Sequence, residues 1–316
     1  MKIQKLKEKL SEIHDPRRQW GNLLHKLWEV VVIALLTVIS CGEDYDDMEE
    51  FGKEREEWLK SELGLELEHG IADGDTIMRI FRRIKPTELR TKLNESIEYI
   101  KELREIINID GKTKRASGVK SKKKHPIHII SAFASENQLV LGEIASENKQ
   151  TEIKEIPKLL DTIDVSGGIV TIDAIGMYQD ITAKVIEKEA DYEWAGLNSV
   201  GMVKSVIEKN GEPSFEFRYY ATSLTDVNEF AYAVRKHWSI ENQLHWCLDV
   251  VFREDSSKAG KDNSAMNLNI LTKHALHLIT KADLGKFPKM GKPSKKRKRF
   301  KAALNPDVLI AILLGE

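Results

Sequence analysis

The stretch Ile106-Ile107-Asn108-Ile109-Asp110, followed by Gly111 and Lys112, is where the chain changes period. Upstream, apolar residues recur at helical spacing. Here a short apolar run closes on an acid and a glycine, the pattern of a strand that ends in a turn. Strand signals continue downstream. Ile127–Phe133 and Leu139–Ala145 flank Ser135–Gln138 as a hairpin, and Thr151–Ile163 carries Ile153, Ile156, Leu160 and Ile163 on one helical stripe. After Gly167-Gly168, a second apolar strand, Ile169–Asp173, again ends in an acid. A helix (Asp180–Glu189), a strand (Tyr192–Leu197), a helix (Val200–Lys209), a strand (Phe215–Thr222) and one long amphipathic helix (Val227–Val250) are expected next. Hairpin strands followed by strand–helix–strand crossovers predict an α/β fold, a mixed sheet flanked by helices.

Outside this block the chain reads as helix. Helices are expected at about Ile3–Ile13, Leu23–Cys41, Tyr45–Leu63 and Thr76–Ile84, with Asp75 as a cap for the last. The domain division expected is 1–105, an all-helical N-terminal domain forming a separate layer; 106–285, the sheet domain; and 286–316, a basic loop (Lys286–Lys301) and a short helix (Pro306–Leu314). Val30–Cys41 is too short to span a bilayer and lacks the basic start of a signal peptide, so it reads as a buried helix. Cys41 and Cys247 lie in apolar helical patterns, which predicts buried free thiols in a reducing cytoplasm; with no spanning segment read, no membrane partner is expected.

Net charge is −1, but its distribution is uneven. Twelve acids face three bases between Gly42 and Glu68. Lys112–Lys124 holds seven Lys or Arg and no acid, and Lys286–Lys301 holds nine bases and no acid. The first basic run directly follows Asp110, where it could draw a phosphate backbone toward an acidic site.

Glu241 is the third acid of interest. On a straight helix it falls on the stripe of Val227, Phe230, Ala231, Val234, Trp238, Leu244 and Leu248, so it is expected to point inward with its neighbours. A buried carboxylate needs a proton, a partner or a cation. Each acid alone has a plainer reading: Asp110 and Asp173 as turn or cap residues, Glu241 as an ion-pair partner of His237 or His245. Together, two strand-end Asp and an inward Glu converge on a sheet edge with too few cations nearby in sequence. Oxygen-only ligands of this kind suit a pair of Mg²⁺ or Mn²⁺ ions, which promote phosphodiester displacement. His125/His128 and His274/His277 follow no zinc spacing and read as ordinary residues, and Trp238 and Trp246 read as core.

The chain resembles the H-repeat-associated branch of bacterial insertion-sequence DDE transposases. The resemblance runs from Asp15-Pro16-Arg17 to the final helix. It is carried by Ile109-Asp110-Gly111-Lys112-Thr113, Ser131-Ala132-Phe133, Val140-Leu141-Gly142, Thr171-Ile172-Asp173-Ala174 with Gly176, and the block from Arg235-x-His237-Trp238-x-Ile240-Glu241-Asn242 through Leu244-His245-Trp246 to Asp255. It implies an RNase H-like catalytic domain with Asp110, Asp173 and Glu241 as catalytic, metal-holding acids. It also implies hydrolysis at the element's ends, then attack of the freed 3′-hydroxyl on target DNA without a covalent enzyme intermediate. The expected partners are double-stranded DNA, at element ends and target, and further copies of the chain on that DNA; the expected location is the bacterial nucleoid. Lys112, Lys114, Arg115, Lys122, Lys123, Lys124 and Arg235 are the expected DNA contacts. Val234, His237 and Leu248 stand where wider relatives carry Tyr, Arg and Lys, so those phosphate-handling roles do not carry over. Asp249, Glu254 and Asp255 are rival candidates for the third acid. A non-cutting DNA binder, or a nuclease that does not rejoin strands, are the alternative activities.

Overall fold

The computed structural model describes residues 2–17, 23–97, 105–114, 126–146, 151–172, 199–209, 212–256, 262–287 and 292–315. Asp173, Arg115, Lys122, Lys123, Lys124, His125, the expected helix Asp180–Glu189 and the expected strand Tyr192–Leu197 lie outside the described residues.

Four strands form the central sheet: β1 (Ile106–Lys114), β2 (Ile127–Ala134), β3 (Leu139–Ser146) and β4 (Ile169–Ile172), in the order β3-β2-β1-β4. The first three are antiparallel neighbours, while β4 runs parallel to β1 with Ile172 opposite Ile109. Helix α7 (Glu152–Asp161) crosses between β3 and β4 and covers one face. Ile107, Ile109, Ile130 and Ala132 of the sheet pack there against Ile156, Leu159 and Leu160. This is a mixed sheet of RNase H-like kind, with helices on both faces.

The other face meets a large helical mass. Six helices precede the sheet: α1 (Lys2–Ser11), α2 (Leu27–Ile39), α3 (Tyr45–Glu54), α4 (Glu56–Leu63), α5 (Gly74–Phe81) and α6 (Pro86–Ser96). Every residue of α2 is buried, as its apolar run predicts. No described helix is long and apolar enough to cross a membrane. The helices are not a separate layer. Their buried residues form one continuous core with Ile129, Phe133 and Val140 of the sheet and with the later helices. A buried ionic triad pins the two parts together: Glu143 of β3 accepts from Arg90 of α6 at 2.5 Å and from Lys273, which also donates to Ser131 at 2.8 Å.

Several local expectations are corrected. Tyr45–Leu63 is two helices, and α5 is capped by Asp73, which accepts from the Thr76 amide at 2.6 Å, not by Asp75. Cys41 is exposed at a left-handed φ of 74°, whereas Cys247 is buried. Val200–Lys209 is not a helix but most of β5 (Ser199–Lys209), which pairs with β6 (Glu212–Thr222) in a two-stranded hairpin. Its β-branched residues favour the extended chain. The chain continues as α8 (Val227–His237), a π-helical segment (Ile240–His245), α9 (Trp246–Val250) and α10 (Ser264–Lys281). The basic run expected as a loop contains α11 (Lys295–Leu304), capped by Ser294 and followed by the expected last helix, α12 (Pro306–Leu314). Lys, Arg and Ala are good helix formers, so α11 needs no apolar stripe to form.

Candidate active site

Alternation along β1 sends Ile107 and Ile109 to the α7 core and places Asn108, Asp110, Lys112 and Lys114 on the opposite face. Each of these four residues meets the chain between residues 236 and 254. Asn108 is fully buried. Its Nδ2 lies 2.7 Å from Ser135 Oγ, 2.8 Å from Ser239 Oγ and 3.0 Å from the Lys236 carbonyl, so two hydrogens serve three acceptors. Its Oδ1 accepts from Thr171 Oγ1 at 2.6 Å, and that hydroxyl lies 2.9 Å from His237 Nδ1. The clamp seats the chain two residues before Glu241 on the strand two residues before Asp110.

Glu241 then opens a π-helical turn, in which the Trp246 amide donates to the Glu241 carbonyl five residues back. This corrects the single long helix. The break at Trp238 and the wider turn change the register, leaving Ile240, Leu244 and Leu248 buried and Glu241 at the rim with 52% of its side chain exposed. Val227, Trp238 and Trp246, expected inside, are exposed. The carboxylate therefore does not point into the core. It points at Asp110, midway along β1.

There it meets Asp110 and His245, a residue legible in the sequence only as an ion-pair partner. His245 Nδ1 lies 3.5 Å from Asp110 Oδ2 and 3.7 Å from Glu241 Oε2. One ligand atom from each of Asp110, Glu241 and His245 lies within 4.8 Å of the others, a donor set that can hold a divalent metal ion. The i, i+4 spacing of Glu241 and His245 was the available signal for His245. Burial pushes the Asp110 carboxyl up to about 6; the His245 imidazole and the Gly111 amide oppose the rise, while Glu241 and Glu152 add to it. Glu241 is held below the usual carboxylate range, chiefly by the His245 imidazole beside it. The electrostatics suit a cation: two carboxylates share a half-buried site with one imidazole between them. Behind it, His245 Nε2 is buried with no hydrogen-bond partner, next to a small cavity lined by Ser131, Asn269 and Lys273.

The close approach of these elements explains Gly111. A Cβ there would come within 2.3 Å of His128 Nε2 and 2.5 Å of a Glu152 carboxylate oxygen. His128 itself bridges Thr113 Oγ1 at 2.9 Å and Glu152 at 3.3 Å, and so is structural.

Two expected DNA contacts are placed differently. Lys112 pairs with Asp249 and, at 2.9 Å, with Glu254, while Lys114 is only 3% exposed. β1 runs on through both residues, so alternation carries their ammonium groups inward instead of into a solvated loop. Asp249 and Glu254 are thereby engaged with lysine, and Asp255 lies in the short 3-10 turn Glu254–Ser256 beyond them. Arg235 is exposed in the last turn of α8.

The family model for "Transposase DDE domain" matches residues 101–278, and that for "DDE_Tnp_1-associated" matches residues 7–95. The chain is 34% identical to "Putative transposase YncI" of Escherichia coli O157:H7, over 99% of this chain and 95% of that protein. It is 30% identical to "H repeat-associated putative transposase YhhI" of Escherichia coli K12, over 100% and 99% of the two chains. No solved structure gives a significant match. With a DDE-domain match over more than half its length and relatives aligned end to end, the chain belongs to the H-repeat-associated DDE transposases.

Proposed function

We propose that the protein is a metal-dependent transposase that cleaves DNA at the ends of an insertion sequence and joins the freed 3′-hydroxyl to a target. The meeting of Asp110, Glu241 and His245 midway along β1 carries this reading. β4 supports it further, because it runs beside β1 and ends at Ile172, the residue before Asp173. In this reading Asp110, Asp173 and Glu241 would hold two Mg²⁺ or Mn²⁺ ions, with His245 beside them. Bound divalent ions supply Lewis-acid stabilisation of the scissile phosphate and activation of the attacking oxygen.

The chain's own residues do the rest. Asn108, through Ser239 and the Lys236 carbonyl, fixes the distance between the strand and the Glu241 turn. Gly111 donates its amide to Asp110 Oδ1 at 2.8 Å and orients that carboxylate. Arg115, Lys122, Lys123 and Lys124, with exposed Arg235, contact phosphates of the element ends and target. The protein works as a homo-oligomer on double-stranded DNA in the bacterial nucleoid.

The test is cleavage of DNA carrying the ends that flank the gene, with Mg²⁺ or Mn²⁺. Asp173→Ala should abolish cutting and leave binding unchanged or slightly tighter, because a negative charge near phosphate is removed. Neutralising Lys122, Lys123 and Lys124 should weaken binding across all sequences. If the intact protein binds the ends, never cuts them with either metal, and matches Asp173→Ala in every respect, the enzyme reading fails and a non-cutting DNA binder replaces it.

A further inference from the structure

The nine bases of Lys286–Lys301 have no part in the function proposed above. Folding uses three of those on α11. Lys298 Nζ donates to the carbonyls of Ile279 at 2.8 Å and Ala282 at 2.6 Å, at the C-terminal end of α10. Arg299 is buried, donates to the carbonyls of Val38 and Val251, and sits 4.1 Å above the Phe252 ring. Lys295 Nζ lies 3.4 Å from Cys247 Sγ. These interactions lock one side of α11 onto the protein.

The other side carries Lys296, Phe300 and Leu304 at four-residue spacing, with Arg297 and Lys301 beside them and Lys292 just before the helix. Lys292, Lys296 and Arg297 are exposed, Phe300 is 57% exposed and Leu304 is 64% exposed. None of these four bases (Lys292, Lys296, Arg297, Lys301) forms an ion pair with a described residue. Two features of this side do nothing for folding. The first turn has no acid and instead places the exposed Lys296 and Arg297 at the positive end of the helix dipole, where cations destabilise a helix. The exposed Phe300, between Arg297 and Lys301 in sequence, gains nothing from the core.

We infer that the outward face of α11 is a second binding surface for the backbone of duplex DNA. The inference rests on the reading of the protein as a DNA-cleaving enzyme and extends it to a surface outside the carboxylate site. Phosphate is the anion that a helix start rich in Lys and Arg accommodates, through amides, dipole and side chains together. Location agrees. Lys295 and Arg299 tie α11 to Cys247 and Val251, and Cys247 lies six residues after Glu241, roughly 9 Å along a helix axis. The start of α11 therefore stands beside the segment that carries Glu241.

The test uses the full chain carrying Lys296→Gln together with Arg297→Gln. Its binding to a fluorescein-labelled duplex of arbitrary sequence is followed by anisotropy across a potassium chloride series and compared with wild type. The slope of log affinity against log salt should fall by about 0.9 for each phosphate no longer neutralised, up to about 1.8 for the pair. Affinity at low salt should fall about tenfold or more, with thermal unfolding unchanged or slightly higher because two cations leave the positive end of a dipole. Phe300→Ser should weaken binding a few-fold without altering the salt slope. If wild type binds with strong salt dependence and the double variant matches it in slope and affinity, this inference is overturned and the enzyme reading stands. If wild type does not bind DNA at all, both fail. If the double variant keeps DNA binding but loses binding to phosphatidylglycerol vesicles, or loses self-association, the face belongs to lipid or to a second copy, and the inference is again overturned.

Discussion

Two carboxylate clusters meet the same face of β1, two residues apart, and they are built in opposite ways. At Asp110, two carboxylates face each other with only the His245 imidazole between them, and burial leaves Asp110 titrating near 6. At Lys112 and Lys114, the carboxylates of Asp249 and Glu254 meet buried ammonium groups, and Asn269 donates to Glu254 as well. Burial works to raise the Glu254 pKa, yet Lys114, Lys112 and Lys273 together hold it below the usual range. The second cluster is neutralised internally and ties α9, α10 and the strand together. The first is left short of positive charge. An acid whose cation is already in the fold is scaffold, and an acid still lacking one marks the site.

The largest effect should follow from breaking the first cluster. Asp110→Asn or Glu241→Gln should lower metal-dependent strand cleavage at least about a thousand-fold, some 4 kcal/mol of transition-state stabilisation, in a gel assay of nicked ends. Asp249→Asn should leave the cut largely intact if its role is structural. An equal loss in Asp249→Asn would erase the distinction between the clusters.

Breaking the second cluster should unfold instead of inactivate. Glu254→Gln leaves Lys112 and Lys114 short of charge in a buried layer, which should cost about 3–5 kcal/mol in urea or thermal denaturation. A variant as stable as wild type would show that the cluster is not a scaffold.

The opposite sign is expected at Asp110. Its folded pKa is raised from 3.8 to about 6, so its contribution to stability is present while it is protonated and lost as pH rises through about 6. Metal-free Asp110→Asn should therefore be more stable than wild type at pH 7.5, by no more than about 3 kcal/mol, with the advantage fading below pH 4. Thermal melts at both pH values in the presence of a chelator check this. A destabilised Asn variant at pH 7.5 would mean that Asp110 is compensated within the fold.

A smaller effect should come from Asn108, which touches neither cluster but seats the Glu241 turn on β1. Asn108→Ala removes hydrogen bonds to Ser135, Ser239 and the Lys236 carbonyl, for about 1–3 kcal/mol of stability. Cleavage should drop about 10- to 100-fold, as for other residues that orient metal ligands. A normal cleavage rate would show that the Glu241 turn is held by other interactions.

Much of this was legible in the sequence where hydrophobic patterning dictates structure. The strand beginning at Ile106, the Ser135–Gln138 hairpin and the α7 helix reflect burial on a sheet face and hold, but the strand does not end at Asp110: it runs on to Lys114. The nearness of Glu241 to Asp110 was also reached, but by the wrong geometry. A 3.6-residue period cannot reveal a π-turn, so the inward-pointing Glu241 of a straight helix became a rim residue of a broken one. Period alone also missed β5. Asn210-Gly211 stands between paired Lys209 and Glu212, a strong two-residue hairpin signal that outweighs a helical count over Val200–Lys209. Lys112 and Lys114 looked solvated because charge was read without alternation; the partners that bury them come more than a hundred residues later.

The most direct test of the central claim, that the metal site is the under-compensated cluster at Asp110, is a Mn²⁺ titration followed by electron paramagnetic resonance. Wild type, Glu241→Gln and Asp249→Asn would be compared at pH 7.5 without DNA. The account predicts that bound Mn²⁺ is retained in Asp249→Asn and weakened at least about tenfold in Glu241→Gln. Retention in Glu241→Gln with loss in Asp249→Asn would contradict it and move the metal site to the lysine-lined cluster.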